Sequence, residues 1–498
     1  MAKSEDTRQT LDALFHPRSI ALIGATNNLG KWGGIIMANA IGNGFKGKLF
    51  PVNSRDEQIM GIRAYRKVTE IPDPVDLACI VTPAETVPAL VLDCARKQIR
   101  TVLVISSNFA ETGPEGQKRQ DALLSVARDA GVRLVGPNSM GIFSSTRSLV
   151  LLMALVEPLK GDISFVSQSG NIGGQMLEWG KRLKAGFRHF VSSGNEADLS
   201  CRDYVEYFGR DDRCRAVMIY LESLKHPDGW METAREVARR KPVVVFKGGK
   251  TEAGQKAARS HSGALAGVVP IFDASFRQAG LIQARTTEAF IDCARSLSRL
   301  PLPSGNRVGI ITRGGGWGVV TTDACEEMGL EVPALQPKTL EALDRILPPY
   351  WSRGNPVDLV AATDIRIYLD CMEILMKDPS VDGVIALSAL PGRVMSFLSR
   401  PALKERLGLD DARVRAYEAS AEKAGREVLE GIVHLMRTLG KPVVLVGMYP
   451  TSGAFETLIE KEGLNLYPTP ERAVRVMARL MEYGRYRRRL EAREAAWI

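Results

Sequence analysis

Ser19-Ile20-Ala21-Leu22-Ile23-Gly24-Ala25-Thr26 is an apolar strand running into a loop of small residues, and the chain writes this opening three times. Asp162-Ile163-Ser164-Phe165-Val166-Ser167-Gln168-Ser169-Gly170 is the second copy. Arg307-Val308-Gly309-Ile310-Ile311-Thr312-Arg313-Gly314-Gly315-Gly316 is the third. Helix-like segments follow, over Gly173 to Leu183 and Val319 to Met328 in the last two. A strand, a glycine-bearing loop and a helix begin a βαβ unit, so the repeat predicts α/β structure with three consecutive domains. Later apolar runs agree: 77–81 and 102–105, then 216–220 and 242–246, then 383–387 and 442–446. Runs without polar alternation indicate mostly parallel sheets covered on both faces.

The expected domains are 10–146, 155–300 and 306–498. The 498 residues suit about three domains of roughly 150 each. Leu300-Pro301-Leu302-Pro303-Ser304-Gly305-Asn306 reads as a linker. Residues 391–425 are highly charged and read as helical or loop insertions, and the Arg-rich C-terminus as a final helix. Aromatic residues make up only 6%, which argues against a stacking surface for nucleic acid. The net charge of +9 is spread along the chain and suits anionic ligands. No apolar run reaches membrane-spanning length, and the polar N-terminus lacks a signal-peptide core. Seven cysteines without a CxxC pair point away from disulfides or zinc, towards a reducing cytoplasm.

The first opening lacks the G-x-G-x-x-G spacing of a dinucleotide site. The second strand ends in Asn53-Ser54-Arg55, where an NAD site places an acid. A neutral then basic strand end favours a ligand with extra phosphate on its ribose; NADP and coenzyme A both qualify. Gly24, Thr26, Lys31, Asn53, Arg55, Thr82, Pro83, Ser106, Ser107 and Asn138 are the candidate binding residues. Most lie in loops expected at the carboxyl ends of strands, where open α/β sheets bind ligands.

His261, one of five histidines, sits in Ala258-Arg259-Ser260-His261-Ser262-Gly263-Ala264. An imidazole among small residues leaves a large charged group room to approach. Its chemistry allows base, ligand or nucleophile.

Taken together, these motifs resemble the α subunit of NDP-forming acyl-CoA synthetases of the ADP-forming acetate–CoA ligase type, and more distantly succinyl-CoA synthetase. The resemblance covers about residues 10 to 480. It rests on Gly24-Ala25-Thr26, Pro51-Val52-Asn53, Gly136-Pro137-Asn138, Ser167-Gln168-Ser169-Gly170, Ser193-Gly194-Asn195-Glu196-Ala197-Asp198 and Ser260-His261-Ser262-Gly263. It implies a Rossmann-like CoA-binding domain followed by two flavodoxin-like, succinyl-CoA synthetase-like domains.

It also implies a relay. Acyl-CoA and phosphate give acyl phosphate and CoA; a histidine takes the phosphoryl group; ADP receives it. His261 matches the phosphorylated histidine and Glu222 the glutamate that orients its ring. A carboxylate on one ring nitrogen fixes the tautomer and stabilises positive charge on the imidazole. Ser167, Ser169, Gly170 and Asn171, with Gly315 and Gly316, are expected to bind phosphate through helix-start N–H groups. Gly194, Asn195, Arg313 and Asn355 are the expected substrate contacts. Arg313 and Trp317 flank the third glycine loop where smaller residues are usual in the family, which allows an acid other than acetate. Arg313 could pair with a second carboxylate or with phosphate.

No segment reads as an ATP-grasp module, which in the family binds ADP or ATP with Mg2+. The resemblance therefore implies a β-subunit partner, a hetero-oligomer, and no metal on this chain. The alternatives are a noncatalytic CoA-sensing or regulatory protein built on the same domains, and an NADP-dependent dehydrogenase.

Overall fold

The computed structural model describes residues 2–256, 268–360, 364–389, 400–447, 459 and 462–495. His261 and its loop lie outside them. The chain divides into two compact units, 1–294 and 295–498.

In the first unit a parallel sheet is built from β1 (Ser19–Ile23), β2 (Lys48–Val52), β5 (Leu77–Ile80), β6 (Thr101–Val104) and β7 (Arg133–Val135). A two-residue ribbon, β3 (Gln58–Ile59) with β4 (Ile62–Arg63), follows β2. The second sheet takes β8 (Gly141–Ser144), β9 (Leu149–Leu152), β10 (Lys160–Ser167), β11 (Phe187–Ser192), β12 (Ala216–Leu221), β13 (Val243–Lys247) and β14 (Ile282–Ala284). The other unit holds β15 (Val308–Thr312), β16 (Val357–Asp358), β17 (Gly383–Leu387), β18 (Val443–Val446) and β19 (Leu466–Tyr467), all parallel.

The strand orders are β2-β1-β5-β6-β7, β14-β13-β12-β10-β11-β8-β9 and β16-β15-β17-β18-β19. Reduced to its parallel strands, each sheet is ordered second, first, third, fourth, fifth. The three sequence openings thus lead three copies of one doubly wound topology. In such a sheet the chain direction reverses beside its first strand, and the crevice there is the place for a ligand. The three crevices lie at the carboxyl ends of β1 and β5, β10 and β12, and β15 and β17. The repeated strands are buried throughout, as β1, β5, β6, β12 and β17 show.

Two features depart from the sequence reading. The hairpin β8–β9 joins the second sheet and runs antiparallel to β11. Residue 146, read as the end of the first domain, falls inside it; short apolar strands carry no signal of direction. The helices after the second and third openings begin early, at Gly170 and Gly315. Glycine starts carry no apolar periodicity, so the pattern shows only from the next turn. The charged region beyond residue 400 forms helices Pro401–Leu407 and Asp411–Leu439, and the Arg-rich C-terminus forms Pro470–Ala495.

Candidate functional site

The first crevice is shaped by backbone. Gly24 has φ +94°, and a Cβ there would stand 2.4 Å from the Val81 carbonyl oxygen. One on Gly33, in the next helix, would stand 2.0 Å from the Gly24 oxygen. Strand, loop and helix therefore meet at a spacing only glycine permits, leaving a cradle where a pyrophosphate could reach the chain. Asn53 braces it: Nδ2 donates to the Ala25 oxygen at 2.8 Å, and Oδ1 accepts from the Arg55 and Asp56 amides at 2.7 and 2.8 Å. Ser106 ties β5 to β6, receiving the Thr82 amide at 3.3 Å and donating back to the Thr82 oxygen. Asn138, at φ +57°, donates its amide to the Ser106 oxygen at 2.9 Å. Thr26 accepts the Asn28 amide at 3.3 Å. Lys31, Arg55, Pro83 and Ser107 are exposed. The expected binding residues thus divide into a bracing set and a solvent-facing set on neighbouring loops.

The second crevice holds buried charged side chains. Glu222 follows β12 and is 8% exposed. Tyr220 Oη donates to its Oε1 at 3.3 Å, and Lys247 Nζ donates to its carbonyl oxygen at 2.7 Å. Gln168 follows β10, and its Oε1 accepts the Glu222 and Ser223 amides at 2.7 and 3.0 Å. Its Nε2 donates to the Ser223 oxygen at 2.8 Å and to Glu196 Oε1 at 3.1 Å. Ser193 Oγ donates to the same Glu196 oxygen at 2.7 Å. Beside this network the helix Gly170–Leu183 begins at Ser169, whose side chain makes no capping bond. Ser167 Oγ donates to the Ser169 oxygen at 2.6 Å, and Asn171 is exposed. The first amides of that helix have no intrahelical acceptor, and they form a natural oxyanion site.

Burial sets the protonation here. It raises the Glu196 carboxyl above the usual carboxylate range, against hydrogen bonds from Ser193 and Gln168 and the charge of Lys225. It lowers Lys225, despite Glu196, Glu111 and Glu222 around it, and lowers Lys247 despite Glu222. Lys225 donates to the Asn195 carbonyl oxygen at 2.8 Å.

Asn195, expected at the substrate, has its amide engaged elsewhere: Nδ2 donates to Glu111 Oε2 at 2.5 Å and Gln120 Oε1 at 3.0 Å. Gly194, at φ +60°, lies so close that a Cβ would meet the Pro137 oxygen at 2.3 Å. Both join the Gly136-Pro137-Asn138 loop to the second sheet.

The third crevice contains Arg313, whose guanidinium lies 5.3 Å from the centre of the buried Tyr368 ring. Its Nε and Nη2 are buried without a hydrogen-bond partner among the described residues. Two unsatisfied guanidinium donors are suited to a carboxylate or phosphate. Gly314 to Gly316 open the next helix and are exposed, as is Trp317 at 54%. Asn355 sits deeper: it donates to the Val308 and Pro333 oxygens at 2.9 and 3.1 Å and accepts the Ile310 amide at 2.9 Å. Its side chain straps β15.

Gln168, Glu196, Lys225 and Lys247 were not singled out from sequence. Gln168 and Glu196 lay inside quoted motifs, and Lys225 stands three residues after Glu222. The lysine at the end of β13 gave no signal. Among the described residues no group of three or more His, Cys, Asp or Glu could hold a metal ion. No described helix is long and apolar enough to cross a membrane. All seven cysteines are buried.

Comparison with known proteins gives the following likenesses. A CoA binding domain model matches residues 18–145, a succinyl-CoA ligase like flavodoxin domain 160–297, and a ligase-CoA domain 308–394. The α subunit of acetate–CoA ligase (ADP-forming) I from Pyrococcus furiosus is 36% identical over 96% of this chain and 98% of its own. The acetate–CoA ligase (ADP-forming) I of Archaeoglobus fulgidus is also 36% identical, but the match spans 68% of it. A solved acetyl-coenzyme A synthetase 1 from Ca. Korarchaeum cryptofilum, in complex with phosphate and ADP, superposes with TM-score 0.82 and 31% identity, covering 96% of this chain and 98% of that one.

Proposed function

The chain belongs to the ADP-forming acetate–CoA ligase family, matching its α subunits along nearly their whole length, and from that premise we propose that it is the α subunit of an acyl-CoA synthetase. It interconverts acyl-CoA, ADP and phosphate with carboxylic acid, CoA and ATP. The observation that carries this reading is Glu222, locked at a strand end beside the uncapped helix start at Ser169.

The first crevice takes CoA. Gly24 and Thr26 leave room for its pyrophosphate, Lys31 and Arg55 meet its phosphates, and Thr82, Pro83, Ser106, Ser107 and Asn138 wall the rest. Phosphate oxygen attacks the thioester carbonyl, CoA leaves as thiolate, and acyl phosphate results. A ring nitrogen of His261 then attacks phosphorus, and the carboxylate leaves with the bridging electron pair. Glu222 orients that imidazole and stabilises its positive charge. Ser169, Gly170 and Asn171 offer N–H groups to the phosphoryl oxygens, placed there before reaction; Gly315 and Gly316 open a helix of the same kind. Arg313 receives the carboxylate or a phosphate.

ADP, ATP and Mg2+ belong to a partner chain, an ATP-grasp β subunit. Support comes from the relatives: the chain spans nearly all of a Pyrococcus protein named as an α subunit, but only part of the Archaeoglobus enzyme. Seven cysteines without a CxxC pair favour a reducing cytoplasm.

The test is release of free CoA from acetyl-CoA in the presence of inorganic phosphate, across a panel of acyl-CoAs. Phosphate-dependent thiol release from at least one is the expected result. Tight CoA binding without turnover of any, even with candidate β subunits, would favour the regulatory reading.

A further inference from the structure

We propose that Gln168 is a positioning residue for Glu222, anchored by the buried carboxyl of Glu196. The inference rests on the role given to Glu222 above and names what holds that carboxylate in place.

Gln168 bridges the ends of β10 and β12. Its backbone amide donates to the Tyr220 oxygen at 3.2 Å. Its side chain then makes four hydrogen bonds: two accepted from the Glu222 and Ser223 amides, and two donated, to the Ser223 oxygen and to Glu196. Both N–H hydrogens and both oxygen lone pairs are spent. The residue that carries the orienting carboxylate is therefore fixed at its own backbone N–H. Leucine would fill the same volume and leave those two amides without the side-chain acceptor.

The anchor is itself held. Glu196 receives Ser193 Oγ, and its backbone stands at φ +51°. The preceding Asn195 is tied through its amide to Glu111 and Gln120. The other Glu111 oxygen accepts the Asn108 and Phe109 amides, in the loop that walls the first crevice. The frame of Glu222 thus runs back, bond by bond, to the loop after β6.

The experiment follows transfer from acetyl phosphate to His261 in the full chain, with CoA affinity measured beside it. Gln168→Leu should slow transfer by about tenfold to a hundredfold, the scale of a misplaced reacting group, with CoA Kd changed by less than about twofold. Gln168→Glu tests the bridge independently, should the leucine variant not fold. Its protonated carboxyl keeps the acceptor oxygen for the Glu222 and Ser223 amides and one of the amide's two donors, but its ionised form faces Glu196 and Glu222, with Lys225 and Lys247 as the opposing charges. It should transfer at near wild-type rate at about pH 6 and lose rate by about pH 8.5, where the wild type does not.

Wild-type transfer by Gln168→Leu, with Glu222→Gln slow, would overturn this inference alone. Rates and CoA affinity falling together in both Gln168 variants would also overturn it, by showing general damage. Wild-type transfer by Glu222→Gln would instead remove the reading beneath it.

Discussion

The first and second crevices share one topology and differ in what fills it. Beside β1 the loop is held by glycine sterics and by Asn53 and Ser106, with its basic side chains out in solvent. Beside β10 the same position holds buried carboxylates, two lysines with lowered pKa and a fully engaged glutamine. The doubly wound sheet supplies only a place at its switch point; side chains after the first and third strands decide what that place can hold. A backbone cradle suits a large ligand that must be released. A buried charge network suits a group that must be held still.

The division is open to breakage from either side. The largest effect is expected at Glu222: Glu222→Gln should slow phosphohistidine formation by about a hundredfold or more while leaving CoA affinity intact, as read by rapid-quench labelling and calorimetry. Equal losses of both would merge the two crevices into one function.

The reciprocal variant, Gly24→Ala, forces a Cβ against the Val81 oxygen at positive φ. It should weaken CoA binding at least tenfold and cost about 1–3 kcal/mol of stability, while transfer from acetyl phosphate to His261 stays near wild type. Unchanged CoA affinity would remove the cradle from the account.

Arg313 belongs to the third crevice. Arg313→Met should raise KM for the acid or for phosphate by about tenfold, as expected for a lost charged hydrogen-bond pair, with kcat nearly unchanged. Which of the two KM values moves identifies the anion that its guanidinium receives.

The smallest effect concerns the buried anchor. Glu196 has a raised pKa, so between its unfolded value and its folded one the native state holds the extra proton. Its contribution is full below the unfolded pKa and is lost as pH rises through the folded pKa. Glu196 should therefore add a falling component to the stability of the first unit as pH rises above about 4.3, opposed by His16 and His189, whose pKa values burial lowers, and Glu196→Gln should remove that component from the slope of thermal melts against pH. No change in slope would mean that Glu196 titrates like an exposed carboxylate.

The sequence made the fold legible where chemistry and periodicity coincided. Three strand-to-glycine openings marked three first strands, and short apolar runs marked the others. The hairpin β8–β9 was illegible because four-residue apolar strands look alike whether they run parallel or antiparallel. At the site, motifs located Gly24, Asn53, Ser169 and Glu222, but motif membership could not separate contact from support. Asn195 and Asn355 read as substrate residues, yet their amides brace Glu111 with Gln120 and strand β15 respectively. Gln168 lay unassigned inside a quoted motif, and its four side-chain hydrogen bonds reach residues 28, 54 and 55 positions away. Such long-range partners leave no local pattern.

His261 is expected to carry a phosphoryl group during turnover. Incubation with acetyl-CoA and radiolabelled phosphate, followed by peptide mapping under alkaline conditions, tests it directly. Acid-labile, base-stable label on the peptide containing His261, absent from His261→Ala, is the predicted result. Label that persists in His261→Ala, or an active enzyme that never labels that peptide, would contradict it.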